Sequence, residues 1–192
     1  MAVQPSLSGS GGCGPALAPS FAVVSNTASP APVDRVALPP ILSQQDRIVT
    51  LAEAQQLFPQ TVVPTYLPGG RQLQLVLRKD PPDVGVVLYF ASATLAADDN
   101  LYRFLDEGGI LVVEYGSTDF NLSRELSIAG DLGVVVQIGP YPALITHAYT
   151  AWPPVPPFHL AWSDGQRDFE VQGGVEHPQD LVDMARSIYC GS

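Results

Sequence analysis

The side chains with the clearest capacity for chemistry are three histidines and two cysteines, and their spacing argues against a metal site. His147, His159 and His177 are far apart in the sequence and no His-Glu-x-x-His motif joins them. Cys13 and Cys190 lie at opposite ends of the chain, without a Cys-x-x-Cys pair. The sequence therefore predicts no metal and no cofactor. Capping and surface roles explain the histidines, and His177 can act as the N-cap of a helix beginning at Pro178.

Serine and acidic residues give no better support for catalysis. A hydrolase nucleophile is expected in a Gly-x-Ser-x-Gly turn, whereas Ser117 lies in Gly116-Ser117-Thr118, which suits an ordinary turn. The adjacent acids Asp98–Asp99 and Asp106–Glu107 cannot share a face as the paired carboxylates of glycosidases do. We expect them to be solvated or to cap a helix. The sequence predicts that the protein is not an enzyme.

Aromatic residues around a proline-rich loop are the best candidates for recognition. Tyr149, Trp152, Pro154 and Phe158 belong to a stretch that includes Trp-Pro-Pro-Val-Pro-Pro, which must be a stiff, extended loop. One interpretation is a rigid surface that binds a peptide, glycan or lipid. The alternative is structural: Trp152 covers the edge of a sheet and the prolines prevent further strand pairing.

Composition excludes several classes of protein. The formal net charge is −10, from 19 acidic and 9 basic residues, so the chain repels phosphate backbones and nucleic-acid binding is not expected. The longest apolar runs are about six residues, far below the roughly 20 that a spanning helix needs. We therefore predict no transmembrane segment.

The first 46 residues are rich in Gly, Pro, Ser and Ala, and we interpret residues 1–46 as a flexible tether. Gly11-Gly12-Cys13-Gly14 resembles a lipoprotein cleavage site, so the native precursor could carry a lipid anchor on Cys13; a plain disordered terminus is the alternative. Cys13 and Cys190 could also form a disulfide, which by loop-closure entropy would contribute roughly 5 kcal/mol, or they could be two unrelated thiols.

Residues 47–192 have the pattern of a single α+β domain. Thr50 and Glu53 fit a capping box, and a helix follows them. Leu73, Leu75 and Leu77 alternate with polar residues as in a half-buried strand. Further strands are predicted at 84–90, 110–115, 134–138, 143–147, 158–162 and 168–171, with a short helix near 98–105. Together these elements predict one antiparallel sheet of about six or seven strands, with an N-terminal and a C-terminal helix packed on it.

The C-terminal end is the most specific part of this pattern. The sequence predicts a hairpin whose first strand contains Leu160 and Trp162 and whose second strand contains Phe169 and Val171. Asp164-Gly165 is typical of the tight turn between them. A helix then begins at Pro178 and carries one apolar face, formed by Leu181, Val182, Met184, Ala185 and Ile188. We expect both elements to belong to the scaffold.

Three blocks of the chain resemble a bacterial domain of unknown function found in exported and membrane-anchored proteins, often alongside anti-sigma and sporulation proteins. The blocks are Pro64-Thr-Tyr-Leu-Pro-Gly-Gly70, the hairpin with Trp162 and Phe169, and the closing Met184-Ala-x-Ser-Ile188. The order of these sequence blocks and predicted elements is also similar to that in the C-terminal domain of the periplasmic sigma-factor regulators MucB and RseB. The resemblance covers about residues 50–189. It implies an extracytoplasmic, non-catalytic domain that binds or senses something.

Together these observations predict an extracytoplasmic binding or regulatory module whose partner is another envelope protein or an apolar ligand. The alternative is a carrier or chaperone that holds a lipid or lipoprotein between the sheet and the last helix. A small hydrolase is a distant third. An apolar cavity beneath the helix would favour the carrier, and histidine and acidic side chains converging in a pocket would favour the enzyme.

Overall fold

The computed structural model describes residues 46–59, 61–81, 84–92, 104–105, 107–147, 158–175 and 177–189. Its eight strands and three helices have these bounds: β1 Asp46–Ile48, α1 Leu51–Leu57, β2 Gln72–Lys79, β3 Gly85–Ala91, β4 Ile110–Tyr115, α2 Leu122–Ala129, β5 Gly133–Ile138, β6 Tyr141–His147, β7 Phe158–Ser163, β8 Asp168–Gly173 and α3 Pro178–Ser187. Within the described ranges, no helix is long and apolar enough to cross a membrane.

All eight strands form one antiparallel sheet in the order β1-β2-β3-β4-β8-β7-β6-β5. Each half is a meander of four consecutive strands, and the two halves meet where β4 pairs with β8. The predicted α+β class and single antiparallel sheet are confirmed, with eight strands where about six or seven were expected. The strand that the sequence does not reveal is β1, because three residues are too few to show an alternating pattern.

One face of the sheet, called here the helix face, carries the main core. It is packed by α1 and by α3, as predicted for the two terminal helices. Trp162 and Phe169 are fully buried there, with their rings stacked 4.8 Å apart. Leu181 and Met184 of α3 are also fully buried. The C-terminal hairpin and helix are therefore scaffold, as expected.

The opposite face is covered in two separate places. Phe104 and Leu105 pack on β2, β3 and β4, in a second core with Tyr89, whose ring lies 5.3 Å from that of Phe104. Helix α2, which was not predicted, packs on β5 and β6 at the other end. Among the described residues, these two covers leave the middle of the sheet between them, and side chains of β7 and β8 line a cleft there.

Local sequence signals account for much of the detail. Both hydrogen bonds of the predicted capping box are present: Glu53 N donates to Thr50 Oγ1 at 3.2 Å and Thr50 N donates to Glu53 Oε2 at 2.7 Å. Helix α1 ends at Leu57, just before Pro59. The turn Asp164-Gly165 joins β7 to β8, with Gly165 at a positive φ of 84°.

The alternation predicted for β2 is interrupted. Leu75 and Leu77 pack in the second core, as expected for residues on one face. Leu73 instead packs against the main core, because the register with β3 shifts between Leu73 and Leu75. Such a bulge reverses the face of every residue beyond it.

Candidate functional site

The cleft on the opposite face is the candidate functional site. It has a volume of about 370 Å³ and lies between α2, the loop 116–120 and strands β6, β7 and β8. Its polar lining includes Ser117, Asp119, Arg124, Glu125, Thr146, His159, Asp168 and Glu170. Ile128 and Leu144 contribute apolar walls. It is a mixed polar and apolar depression of the size that holds a small group or one side chain of a partner.

Strand alternation places the acidic residues of the cleft. Asp168 and Glu170 are two residues apart in β8, so their side chains share a face, while Phe169 and Val171 point into the main core. His159 in β7 lies opposite Gln172, with Thr146 of β6 on its other side. The same alternation brings imidazole and carboxylate side chains together on the cleft floor.

His159 and Glu170 form the central polar contact. Nε2 of His159 lies 3.6 Å from Oε2 of Glu170, beyond hydrogen-bond range, and Gln172 Nε2 donates to the same carboxylate oxygen at 3.3 Å. Burial, the largest single influence, raises the pKa of Glu170, but His159, Gln172 and Lys79 together outweigh it and the pKa lies below its usual value. Glu170 is therefore ionised at neutral pH, a fixed negative charge in the cleft.

Asp168 joins the sheet to the loop 116–120. Its Oδ2 accepts a hydrogen bond from Phe120 N at 2.7 Å. Its Oδ1 is buried and has no hydrogen-bond partner among the described residues, and the residue as a whole is only 8% exposed. His159 Nε2 is also buried, and it faces the Glu170 carboxylate at 3.6 Å. Asp168 Oδ1 thus retains unused hydrogen-bonding capacity, which is costly in a folded protein unless something satisfies it.

The positive charge of the cleft is already compensated. Arg124 lies in the first turn of α2, and its Nη2 is 2.8 Å from Oε1 of Glu125. The same Nη2 donates a hydrogen bond to the backbone oxygen of Asp119 at 3.3 Å. The helix begins at Asn121, whose side chain accepts from Arg124 N at 2.9 Å. With Arg124 paired to Glu125, the remaining carboxylates at Asp168 and Glu170 give the floor a negative character.

Two arrangements common in enzymes are not seen among the described residues of the cleft. Ser117 lines the cleft, yet in the part of the chain that the structure describes it makes no hydrogen bond to a histidine or a carboxylate. Across those same residues no three His, Cys, Asp or Glu side chains are grouped as metal ligands. What the cleft offers is a set of hydrogen-bond acceptors beside one imidazole, suited to a ligand rich in donors.

A second polar cluster lies at the C-terminal end of β4, on the helix face. The carboxylate of Glu114 accepts from Val62 N at 3.1 Å and pairs with Arg167 Nη1 at 3.2 Å. Arg167 also pairs with Asp164 at 3.1 Å and lies 4.7 Å from the centre of the Phe169 ring. Burial raises the pKa of Glu114 to about 7, against the lowering effect of Val62 and Arg167.

This Glu114 cluster borders a cleft of about 330 Å³, lined by the end of α1 at Leu57 to Pro59 and by Gln166 and Arg167. The polar atoms of Glu114 are all directed to protein partners, so the cluster ties the segment after α1, at Val62, to the β7–β8 turn. The sequence did not reveal it, since Glu114 stands inside an apolar strand and its partners are more than fifty residues away in the chain.

Of the four residues predicted to form a binding surface, the structure describes one. Phe158 begins β7, is half-buried and packs against the main core. Tyr149, Trp152 and Pro154 lie outside the described residues, so the proposed surface around them stays a prediction. Cys13 and Cys190 also lie outside, and the disulfide between them stays a prediction as well.

The two histidines whose side chains are described have distinct positions. His177 occupies the N-cap position of α3, as predicted, but its side chain makes no capping hydrogen bond. His159, expected to have only a surface role, lies in the cleft beside Glu170. The available signal was the run Asp168, Glu170 and Gln172, three polar residues alternating with buried apolar ones.

Comparison of the chain with known protein families, curated proteins and solved structures finds no match. The resemblance to the envelope domain accordingly rests on the three sequence blocks alone.

Proposed function

We propose that the protein is a non-catalytic binding module of the bacterial envelope, which recognises a partner protein through the cleft beside α2. The observation that carries the proposal is Asp168 Oδ1, a buried acceptor on its floor with no hydrogen-bond partner among the described residues. A ligand that donates a hydrogen bond to this oxygen would relieve its desolvation.

The charge of the floor selects the kind of ligand. Glu170 is ionised and Arg124 is matched by Glu125, so a cationic group is favoured over an anionic one. A Lys or Arg side chain fits both the volume and the hydrogen-bonding pattern, with Ile128 and Leu144 contacting its aliphatic stem. We infer that the partner is another envelope protein presenting an exposed basic side chain.

The proposal includes an extracytoplasmic location and a role beside sigma-factor regulators, both supported by the sequence resemblance. It also includes a lipid anchor on Cys13, supported by the likeness of Gly11-Gly12-Cys13-Gly14 to a lipoprotein cleavage site. The carrier is the weaker candidate. Leu181, Val182 and Met184 of α3 are at most 1% exposed and pack directly on the sheet, so a lipid held there would have to displace them.

The test is capture of partners from an envelope extract by the full-length tagged protein, compared with Glu170→Gln. The matched control is Glu107→Gln, which removes a charge from an exposed residue outside the cleft lining. Truncating a desolvated charge contact costs about 2–5 kcal/mol, so recovery of the specific partner should fall by more than tenfold in Glu170→Gln alone.

Equal recovery by Glu170→Gln and the wild type would exclude the cleft as the recognition site. In that case Trp152→Ala tests the proline-rich loop, and loss of the partner in that variant alone would assign recognition to the predicted surface of Tyr149, Trp152, Pro154 and Phe158. Extraction of lipid from the purified protein, at one molecule per chain, would instead support the carrier.

A further inference from the structure

His159 and Glu170 place an imidazole directly beside the negative charge of the cleft floor. Nε2 of His159 is buried and faces Oε2 of Glu170 at 3.6 Å. The two side chains are 34% and 31% exposed, so charges on them are less screened than they would be in bulk water. Imidazole is also the side chain whose charge ordinarily changes between pH 5 and 8. A proton on His159 would therefore act on the same carboxylate that attracts a ligand.

Strand pairing sets the position of the two groups. His159 of β7 lies opposite Gln172 of β8, and Glu170 is two residues before Gln172, on the same face. Gln172 Nε2 donates to Oε2 of Glu170 at 3.3 Å, which holds the carboxylate beside the imidazole. On the other side, Thr146 Oγ1 of β6 donates to the carbonyl of His159 at 3.4 Å. The contact is thus built into three neighbouring strands.

The cations nearby do not already neutralise Glu170. The charged groups around the pair are Asp168 of β8, Asp119 of the loop 116–120, Arg124 and Glu125 of α2, and Lys79 of β2. Arg124 pairs with Glu125, and the ammonium of Lys79 lies 5.5 Å from the centre of the Tyr115 ring. Among the described residues, neither cation comes within ion-pair distance of Glu170. A protonated His159 would be the cationic group nearest to this carboxylate.

Protonation of His159 and binding of a cationic ligand therefore compete. With a neutral imidazole, the charge of Glu170 is available to the ammonium or guanidinium group of a ligand. An imidazolium offsets that charge and adds a positive charge to the floor, so the ligand loses an attraction and meets a repulsion. Because coupling between two binding events is reciprocal, the bound ligand must also make the imidazole harder to protonate.

We propose that His159 makes binding in the cleft depend on pH: the module holds a basic side chain of its partner while the imidazole is neutral and releases it when the imidazole is protonated. This regulation rests on the proposed function, since it concerns the same ligand and the same carboxylate. Binding is strongest above the pH range in which the imidazole titrates and weakens as pH falls through that range. Couplings of this kind typically change affinity by about 5–150-fold, and for this partly exposed pair we expect about tenfold.

The test is an NMR titration of the isotopically labelled full chain with Nα-acetyl-lysine methylamide, which presents one ammonium group, at pH about 7.5 and about 5.5. The dissociation constant is read from the backbone amide signals of Asp168, Glu170 and Gln172. It should be about tenfold higher at the lower pH in the wild type. Nα-acetyl-norleucine methylamide, which lacks the ammonium group, is the matched ligand control. His159→Gln keeps a polar, uncharged side chain and should bind the lysine probe equally at both pH values.

Two further measurements separate His159 from other titrating groups. The pKa of Glu114 is about 7, within the same pH window, but this residue lies outside the cleft lining. Glu114→Gln should therefore keep the pH dependence of the wild type. The ring protons of His159 provide a readout that needs no variant. With the lysine probe bound, their signals should titrate at lower pH than in the free protein.

The outcomes separate this regulation from the proposed function. Equal affinity of the wild type for the lysine probe at both pH values would overturn the regulation and leave the cationic ligand in place. A pH dependence that persists in His159→Gln, or one that disappears in Glu114→Gln, would also overturn it. Failure of the lysine probe to bind at either pH would reject the cationic ligand itself, and the regulation with it.

Discussion

The indole nitrogen of Trp162 donates a hydrogen bond to the hydroxyl oxygen of Tyr189 at 3.0 Å. Trp162 is fully buried in β7, and Tyr189 follows α3, so this bond joins the C-terminal end of the helix to the sheet. Burial, together with Asp164 and Tyr141, raises the pKa of Tyr189 to about 12. The hydroxyl is therefore neutral throughout the physiological pH range, and the bond does not depend on pH there.

Replacing this hydroxyl should destabilise the fold. Tyr189→Phe leaves the buried indole N–H without its acceptor, and we expect the free energy of unfolding to fall by about 1–3 kcal/mol. Urea denaturation measures the change. Tyr141→Phe is the matched control, since its ring lies 5.4 Å from that of Tyr189 but the indole N–H donates to Tyr189; a change below about 0.5 kcal/mol is expected. Equal effects of the two variants would contradict the assigned role of the bond.

The raised pKa of Glu114 should appear in the pH dependence of stability. Its pKa is about 7 in the folded protein, against a usual value of 4.5. Between these values the folded state keeps a proton that the unfolded state loses, so the free energy of unfolding falls as pH rises through this window. The fall attributable to Glu114 is at most roughly 3 kcal/mol, and it is complete above pH 7.

Glu114→Gln removes the titrating group, so its stability should decline less than that of the wild type between pH about 5 and about 8. Denaturation curves at several pH values provide the comparison. Parallel pH profiles for the two proteins would show that Glu114 does not titrate in this window.

Gly85 should not tolerate a side chain. A Cβ at this position would lie 2.4 Å from the backbone oxygen of Glu114 in the neighbouring strand, closer than carbon and oxygen can approach. We expect Gly85→Ala to cost about 1–3 kcal/mol, because the two strands would have to move apart. At Gly116, the nearest atom to a Cβ is 3.6 Å away, so Gly116→Ala should have little effect. A similar melting temperature for both variants would disprove the close strand contact.

The capping box of α1 should contribute measurably to stability. Thr50→Ala removes the acceptor for Glu53 N and should lower the free energy of unfolding by about 1 kcal/mol. Thr50→Ser retains the hydroxyl and should recover most of this loss. If the serine variant were as unstable as the alanine variant, the methyl group of Thr50, and not the cap, would be responsible.

Local signals made much of the fold predictable. Thr50 and Glu53 satisfy each other within one helical turn, and Asp164-Gly165 defines its hairpin within a few residues. The apolar face of α3 follows from its spacing. In each case the residues that determine the structure are close in sequence, so their pattern is visible without knowledge of the tertiary fold.

Features that depend on distant residues were not predictable. The bulge after Leu73 is visible only through pairing with β3. His159 approaches Glu170 only because β7 and β8 pair in one register, and a shift of one residue would place them on opposite faces. For the same reason the cleft could be suspected from the alternating polar residues of β8, but its walls could not, since α2 comes from a separate part of the chain.

The division of the sheet into two meanders has a consequence for how the chain acquires its structure. Every strand pairing except one joins neighbours in sequence, so each half can form by short loop closures. The exception is β4 with β8, whose paired residues Tyr115 and Asp168 are separated by all of β5, β6 and β7. We expect this seam to form last in folding. Before it closes, the two half-sheets each expose an unpaired central strand, which makes the partly folded chain most prone to aggregation at that stage.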